Sequence, residues 1–262
     1  MPKYIDIHSH LNLSQFDSDR EEVIQKLKDK NIFTITVGAD YKSSVLAVEL
    51  ADKHDNLYAS IGLHPSDVLI EEFNYADMLK LAQNKKVVAI GECGLDYFRG
   101  DDEDFKIKQK EIFNLHIKLA LETNKTLMIH ARPSKGTMDA YVDVLNILEL
   151  VKKDNPKINA NFHFFAGNLN IAKRVVGLSF TISFDGPITF SHDYDEVIKE
   201  IPLESIMAET DSPFAAPVPY RGKRCEPYMV AEVIKRISEL KGLSEEETNQ
   251  IILSNIKRVF GI

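Results

Sequence analysis

Five of the eight histidines in this 262-residue chain stand where a short apolar run gives out. The first run, Tyr4-Ile5-Asp6-Ile7-His8-Ser9-His10, reads as a strand, and residues two apart on a strand share a face. His8 and His10 therefore project together, and Ser9 between them points away. Gly62-Leu63-His64-Pro65 closes a later run, His130 closes Thr126–Ile129 and is followed by Arg132, and His163 lies in Asn161–Phe165. Two further runs end in carboxylates: Val87–Gly91 in Glu92, and Ile206–Ala208 in Glu209-Thr210-Asp211. Imidazoles mixed with carboxylates form the donor set of a divalent cation. Glu92 is costly to bury at the end of an apolar strand unless it is paired or bound to metal. Asp211 either caps a turn or ligates, and its place on the last run favours ligation.

Other residues carry weaker signals. Asp6 and Glu209 each lie two positions before a candidate ligand, so they share its face one layer deeper. They suit acceptors that fix a histidine tautomer; the alternative is a buried, hydrogen-bonded carboxylate. Cys93 follows Glu92 and points the other way, as core rather than nucleophile. His116, mid-helix, reads as a helix-face residue without a role. Tyr220-Arg221-Gly222-Lys223-Arg224 gathers three cations, which beside a metal site could hold phosphates and otherwise make a solvated loop.

Eight strand-like runs place these groups: Tyr4–His8, Phe33–Gly38, Leu57–Leu63, Val87–Gly91, Thr126–His130, Asn161–Phe165, Phe180–Phe184 and Ile206–Thr210. Amphipathic stretches lie between them. Ser18-Asp19-Arg20-Glu21 and Ser244-Glu245-Glu246-Glu247 have the form of capping boxes, the second opening a final helix that stops at Gly261. Helical patterns also cover 43–54, 105–122, 137–153 and 226–240, with shorter ones near 168–176 and 194–200. Strand then helix, repeated at about 30 residues per unit, predicts a single-domain (β/α)8 TIM barrel with an extra C-terminal helix. Active-site groups of such a barrel sit at the carboxyl ends of its strands, where the histidines collect. The competitor, a doubly wound sheet, would carry a Gly-rich turn after strand 1, and His-Ser-His-Leu-Asn stands there instead. No P-loop and no Gly-x-Ser-x-Gly elbow occurs, which sets aside P-loop NTPases and α/β-hydrolases.

Composition narrows the class. The chain is 44% hydrophobic with net charge −8, so bulk electrostatics do not attract nucleic acid, and a phosphate-bearing substrate needs a local basic patch or a metal. Two cysteines, Cys93 and Cys225, are too few for a disulfide framework and fit a reducing compartment. No leader-like segment precedes the first run, and no apolar run is long enough to span a membrane, so a cytoplasmic protein is expected.

Taken together, Asp6-x-His8-x-His10, Gly62-x-His64-Pro65, Gly91-Glu92-x-Gly94-Leu95-Asp96-Tyr97, Ile129-His130-x-Arg132, His163, Glu209-Thr210-Asp211-Ser212-Pro213 and Arg221-Gly222-Lys223-Arg224-x-Glu226-Pro227 resemble the TatD family of metal-dependent deoxyribonucleases. The resemblance runs through nearly the whole chain in the right order, and it implies an amidohydrolase-type TIM barrel with two divalent ions, Mg, Mn or Zn. It implies that His8 and His10 bind one ion and His130 and His163 the other, with Glu92 bridging and Asp211 completing the first site. Glu92 and Asp211 are then catalytic, and His64, Arg132, Arg221, Lys223 and Arg224 face the substrate. The implied partner is DNA, cut 3′-to-5′ from its ends by a water activated between the metals, with single strands favoured. Phe164-Phe165-Ala166-Gly167 after His163, Cys225 in the basic loop and Pro133 after Arg132 depart from the family pattern and bear on substrate preference. The alternative is an ester hydrolase acting on D-aminoacyl-tRNA, or on another carbonyl substrate, with the same metal site.

Overall fold

The computed structural model describes residues 2–100 and 102–262. Eight parallel strands follow one another around a barrel: β1 (Tyr4–Ser9), β2 (Ile32–Val37), β3 (Leu57–Ile61), β4 (Val87–Asp96), β5 (Thr126–Arg132), β6 (Ala160–Phe162), β7 (Thr181–Phe184) and β8 (Ile206–Ala208). Between them run α1 (Arg20–Asp29), α2 (Tyr41–Lys53), α3 (Tyr75–Ala82), α4 (Glu103–Thr123), α5 (Asp139–Asp154), α6 (Leu169–Gly177) and α7 (Asp195–Glu200). After β8 come α8 (Val230–Lys241) and the additional α9 (Glu245–Phe260). The expected (β/α)8 barrel with an extra C-terminal helix is the architecture found.

Parallel strands covered by helices are buried on both faces, which is why they read as near-continuous apolar runs. β1, β4, β6, β7 and β8 are buried throughout. One apolar core joins strands and helices, from Tyr4 through Phe113 and Tyr141 to Phe260. No helix among the described residues is long and apolar enough to cross a membrane.

The ring is drawn together at β1 and β8 by the residues of interest themselves. Asp211 N–H donates to His8 O at 2.9 Å and His10 N–H to Ser212 O at 2.7 Å. Asp6 adds a side-chain clasp: its carboxylate accepts from Thr210 N–H (2.9 Å) and from the Thr210 hydroxyl (2.6 Å).

Local structure departs from expectation in four places. α1 begins at Arg20 with Asp19 in the cap position and no side-chain cap, so the predicted capping box at Ser18 does not form. Asp19 is instead held by Arg224. The second box, Ser244 with Glu247, does form. α2 starts from a reciprocal box between Asp40 and Ser43 that replaces a predicted start at residue 43. α3, eight residues long, was not expected at all. β4 runs five residues past Gly91, and that extension shapes the site.

Candidate metal centre

The extension of β4 contains a bulge. Ile90 pairs with Leu127 and Cys93 with Ile129, so two intervening residues of β4 face one of β5. Glycine permits it. Gly91 (φ +155°) lies so close to β5 that a Cβ would meet Met128 O at 2.4 Å, and a Cβ on Gly94 (φ +134°) would meet His130 O at 2.1 Å. The inserted residue is Glu92, whose side chain reaches the buried middle of the barrel mouth, among His8, His10, His64, His130 and His163.

Around Glu92 the donors divide into two groups. In the first, His8 Nε2 and His10 Nε2 face each other at 3.2 Å. Asp211 Oδ1 lies 3.6 and 3.4 Å from them, and Glu92 Oε2 lies 3.7 Å from each. A cation with arms of about 2.1 Å to four tetrahedral ligands separates them by about 3.4 Å. His10 Nδ1–H donates to Val37 O at 2.9 Å, so its Nε2 offers a lone pair to the same centre. The donor set and its spacing fit a divalent ion.

In the second group Glu92 Oε1 lies 2.9 Å from both His130 Nδ1 and His163 Nε2. The far nitrogen of each ring faces another carboxylate. His130 Nε2–H donates to Asp96 Oδ2 at 3.1 Å, and His163 Nδ1 lies 3.4 Å from Glu209 Oε1. Glu209 is itself fixed by Phe164 N–H and the Ser183 hydroxyl, both at 2.6 Å. The carboxylate behind His130 sets the tautomer that offers a lone pair forward, and Glu209 stands near His163 Nδ1 without hydrogen-bonding it. His130 Nδ1 then faces a carboxylate oxygen at 2.9 Å, a contact that a proton or a metal cation between them satisfies. Both groups are among the His/Asp/Glu clusters able to hold a metal.

Electrostatics agree. Burial works against charge on Glu92, but His163, His64 and His130 outweigh it and hold its carboxyl well below the usual range. Burial likewise opposes charge on His163, and Glu92 and Glu209 overcome it, raising the ring well above its ordinary value. His8 goes the other way, lowered by burial and by His163, whose ring stacks on it at 3.9 Å. The site is a buried place that favours positive charge.

Two ligand-side residues adopt left-handed backbone, Asp211 (φ +53°) and Phe164 (φ +43°), an uncommon conformation that clusters at functional sites. Ser9 turns away from the metal groups, as expected, and is fully used: its hydroxyl meets Thr34 Oγ1 at 2.8 Å and Ile35 O at 3.3 Å. Asp6 contacts no histidine ring. Its carboxylate takes the His8 and Thr210 backbone N–H groups, so it closes the barrel rather than fixing a tautomer. Cys93 is buried, with its thiol against Ile90 O and Met128 O, and burial first, then Glu92, pushes that thiol well up.

A cleft of about 620 Å³ opens onto both groups, and His64, Arg99, Arg132, Leu13 and Phe214 are among its lining residues. His64 Nδ1 accepts from Ser66 N–H at 3.1 Å, which leaves the proton on Nε2, 3.4 Å from Glu92 Oε1. The basic loop after β8 is placed differently from the expectation. Arg224 forms a two-pronged pair with Asp19 (2.8 and 2.6 Å) and lies over Phe16, so its fork is already committed. Arg221 lies over Phe190, and none of Arg221, Lys223 and Arg224 borders the cleft.

Three residues went unrecognised. Asp96 stood in a quoted motif but without a role; only the length of β4 brings it to His130. His116 is buried on α4, where Nδ1–H donates to Ile112 O (2.8 Å) and Nε2 accepts from Leu63 N–H (3.0 Å), one residue before His64. Its place four residues after Ile112, on the apolar face, was the available signal. Asp185, at the end of β7, is buried, and its Oδ2 finds no hydrogen-bond partner among the described residues. Burial, then Glu209 and Asp211, push its carboxyl well up.

Comparison with known proteins places this geometry. The TatD related DNase family matches residues 5–261. The metal-dependent hydrolase YabD of Bacillus subtilis, itself described as uncharacterized, is 40% identical over 261 residues, covering 98% of each chain. The similarly described YcfH of Escherichia coli K12 is 33% identical over 264 residues, 98% of this chain and 96% of that one. The crystal structure of YJJV, a TatD homologue from E. coli K12, superposes with a TM-score of 0.87 at 28% identity, covering 99% and 98% of the two chains. The chain belongs to the TatD family of metal-dependent hydrolases.

Proposed function

We propose that this hydrolase is a deoxyribonuclease that removes nucleotides 3′-to-5′ from DNA ends, favouring single strands, with two divalent ions, Mg, Mn or Zn. The observation that carries this reading is the sharing of one carboxylate: Glu92 turns Oε2 to the first donor group and Oε1 to the second. A phosphodiester is resistant and its transition state gathers negative charge. Two divalent ions held by these groups supply Lewis acidity and lower the pKa of a nearby water.

The side chains supply the rest. Asp211, at the rim of the buried set, is the carboxylate placed to accept the proton of the attacking water. His64 directs Nε2–H into the cleft as a donor to a phosphate oxygen. Arg99 and Arg132 bring two positive charges to the same cleft in a protein whose net charge is negative. The basic loop after β8 contributes at most at longer range, through Arg221 and Lys223.

The test is to strip the purified protein with chelator, restore Mg, Mn or Zn in turn, and offer end-labelled single-stranded DNA beside a D-aminoacyl-tRNA and simple esters. Metal-restored shortening from the 3′ end that disappears in Glu92→Gln and Asp211→Asn is expected. Shortening that survives those changes, or faster hydrolysis of the aminoacyl ester than of DNA, overturns the proposal.

A further inference from the structure

One exposed aromatic ring, Phe214, lines the cleft, and a second, Phe98, lies just outside it beneath the cleft-lining Arg132. Phe214 follows β8 and is 48% exposed; Phe98 follows β4 and is 53% exposed. β4 and β8 are four strands apart around an eight-stranded ring, so the two residues follow strands on opposite sides of the barrel.

Single exposed apolar residues are common and need no explanation. These two differ in being anchored to the site. Phe214 N–H donates to Asp211 O at 2.9 Å, and its ring stands edge-on to His10 with centroids 6.3 Å apart. Its loop is pinned where Ala215 O lies so close to Gly186 that an added Cβ would come within 1.8 Å, and again where Cys225 N–H donates to Pro213 O. Phe98 is fixed by Asp96, whose Oδ1 accepts the N–H groups of Phe98 (3.1 Å) and Arg99 (3.2 Å) while Oδ2 orients His130. The Arg132 guanidinium lies over the Phe98 ring at 4.0 Å. The exposed Phe214 ring, held at a fixed offset from His10, is a stacking platform for a flat ligand, and the Arg132 guanidinium, backed by Phe98, offers a second flat face to the cleft. Nucleobases stack on such rings with little regard to sequence.

We propose that Phe214 and the Phe98–Arg132 pair are two nucleobase subsites flanking the bond that is cut. This rests on the phosphodiester reading of the metal centre. The lining is uneven in charge: Arg132, which lies over Phe98, and Arg99 are cationic, whereas Leu13 and Phe214 are apolar. The Arg132 side therefore takes the retained strand, with its further phosphates, and the Phe214 side takes the base of the nucleotide released.

The chain contains no tryptophan, so Phe214→Trp installs a single tryptophan that can be excited apart from the tyrosines. The metal-loaded variant is titrated with a phosphorothioate-linked thymidine tetranucleotide, which resists hydrolysis, and with the same oligomer carrying abasic residues. Quenching by the intact oligomer and not by the abasic one is expected. Equal quenching, or none, overturns the proposal. In parallel, kcat/KM is measured on DNA with a natural or an abasic terminal nucleotide. Wild type should prefer the natural end by about ten-fold or more, Phe214→Tyr should keep that preference, and Phe214→Ala should bring it near one. A preference that survives Phe214→Ala overturns the assignment. The two readings fail separately. Wild-type DNA cleavage without base-dependent quenching removes the subsites and leaves the nuclease. Base-dependent quenching without DNA cleavage leaves the subsites and removes the nuclease.

Discussion

His116 provides a direct test of how the barrel holds its site. The ring is buried on α4 and accepts the Leu63 N–H while donating to Ile112 O. It must therefore remain neutral, since a proton on Nε2 would face a backbone donor. Burial lowers its pKa from 6.5 to about 4. The folded state thus refuses a proton that the unfolded chain accepts below about pH 6.5. Stability contributed here is intact above pH 6.5 and is lost as pH falls towards 4. A span of roughly 2.5 pH units, at about 1.4 kcal/mol each, gives a loss of about 3 kcal/mol. The perturbation is His116→Phe, which fills the space, leaves the Leu63 N–H unpaired at about 1–3 kcal/mol, and removes the titration. The assay is urea unfolding of both proteins from pH 7.5 to 4. Carboxylates titrate alike in the two, so the difference isolates His116. Wild type should be the more stable at pH 7.5, and its advantage should shrink by about 3 kcal/mol by pH 4. An advantage that does not change with pH would falsify the tautomer and burial assigned to this ring.

Three further outcomes are expected. Asp96→Asn removes the carboxylate behind His130 and should weaken binding at the second metal group by about 10–100-fold, read by titration with Zn or Mn; unchanged affinity would show that Asp96 does not set the His130 tautomer. Ser9→Ala should lose about 1 kcal/mol of stability with its buried hydroxyl contacts but keep metal binding, whereas His10→Ala should lose metal; equal metal loss in both would show the β1 register to be wrong. A double-mutant cycle on Asp19 and Arg224 should return a coupling of about 1 kcal/mol, and Arg224→Ala should leave KM for DNA unchanged; a raised KM would return Arg224 to the substrate.

The barrel and the cluster of candidate ligands at its mouth were legible because both are local signals. A buried parallel strand is a run of apolar residues, and a histidine or carboxylate at its end interrupts that run visibly. His8, His10, Glu92, His130, His163 and Asp211 could all be picked out that way. α3 escaped because an eight-residue helix offers little more than two turns of pattern. The commitment of Arg224 to Asp19 spans 205 residues and leaves no mark near either. The reach of Asp96 depends on β4 continuing through a bulge, which Gly91 and Gly94 permit but do not announce. His116 was misjudged for a different reason. A histidine in a charged helix looks solvated, and only its spacing from Ile112 and Phe113 showed that it faced inward.

The central claim is that one carboxylate serves two cation sites. It is tested by counting metal per chain, after chelation and reloading, in wild type and three variants. Two ions in wild type, one each in Asp211→Asn and His130→Ala, and none held in Glu92→Gln is the predicted pattern. A single ion in wild type, or two retained in Glu92→Gln, would contradict it.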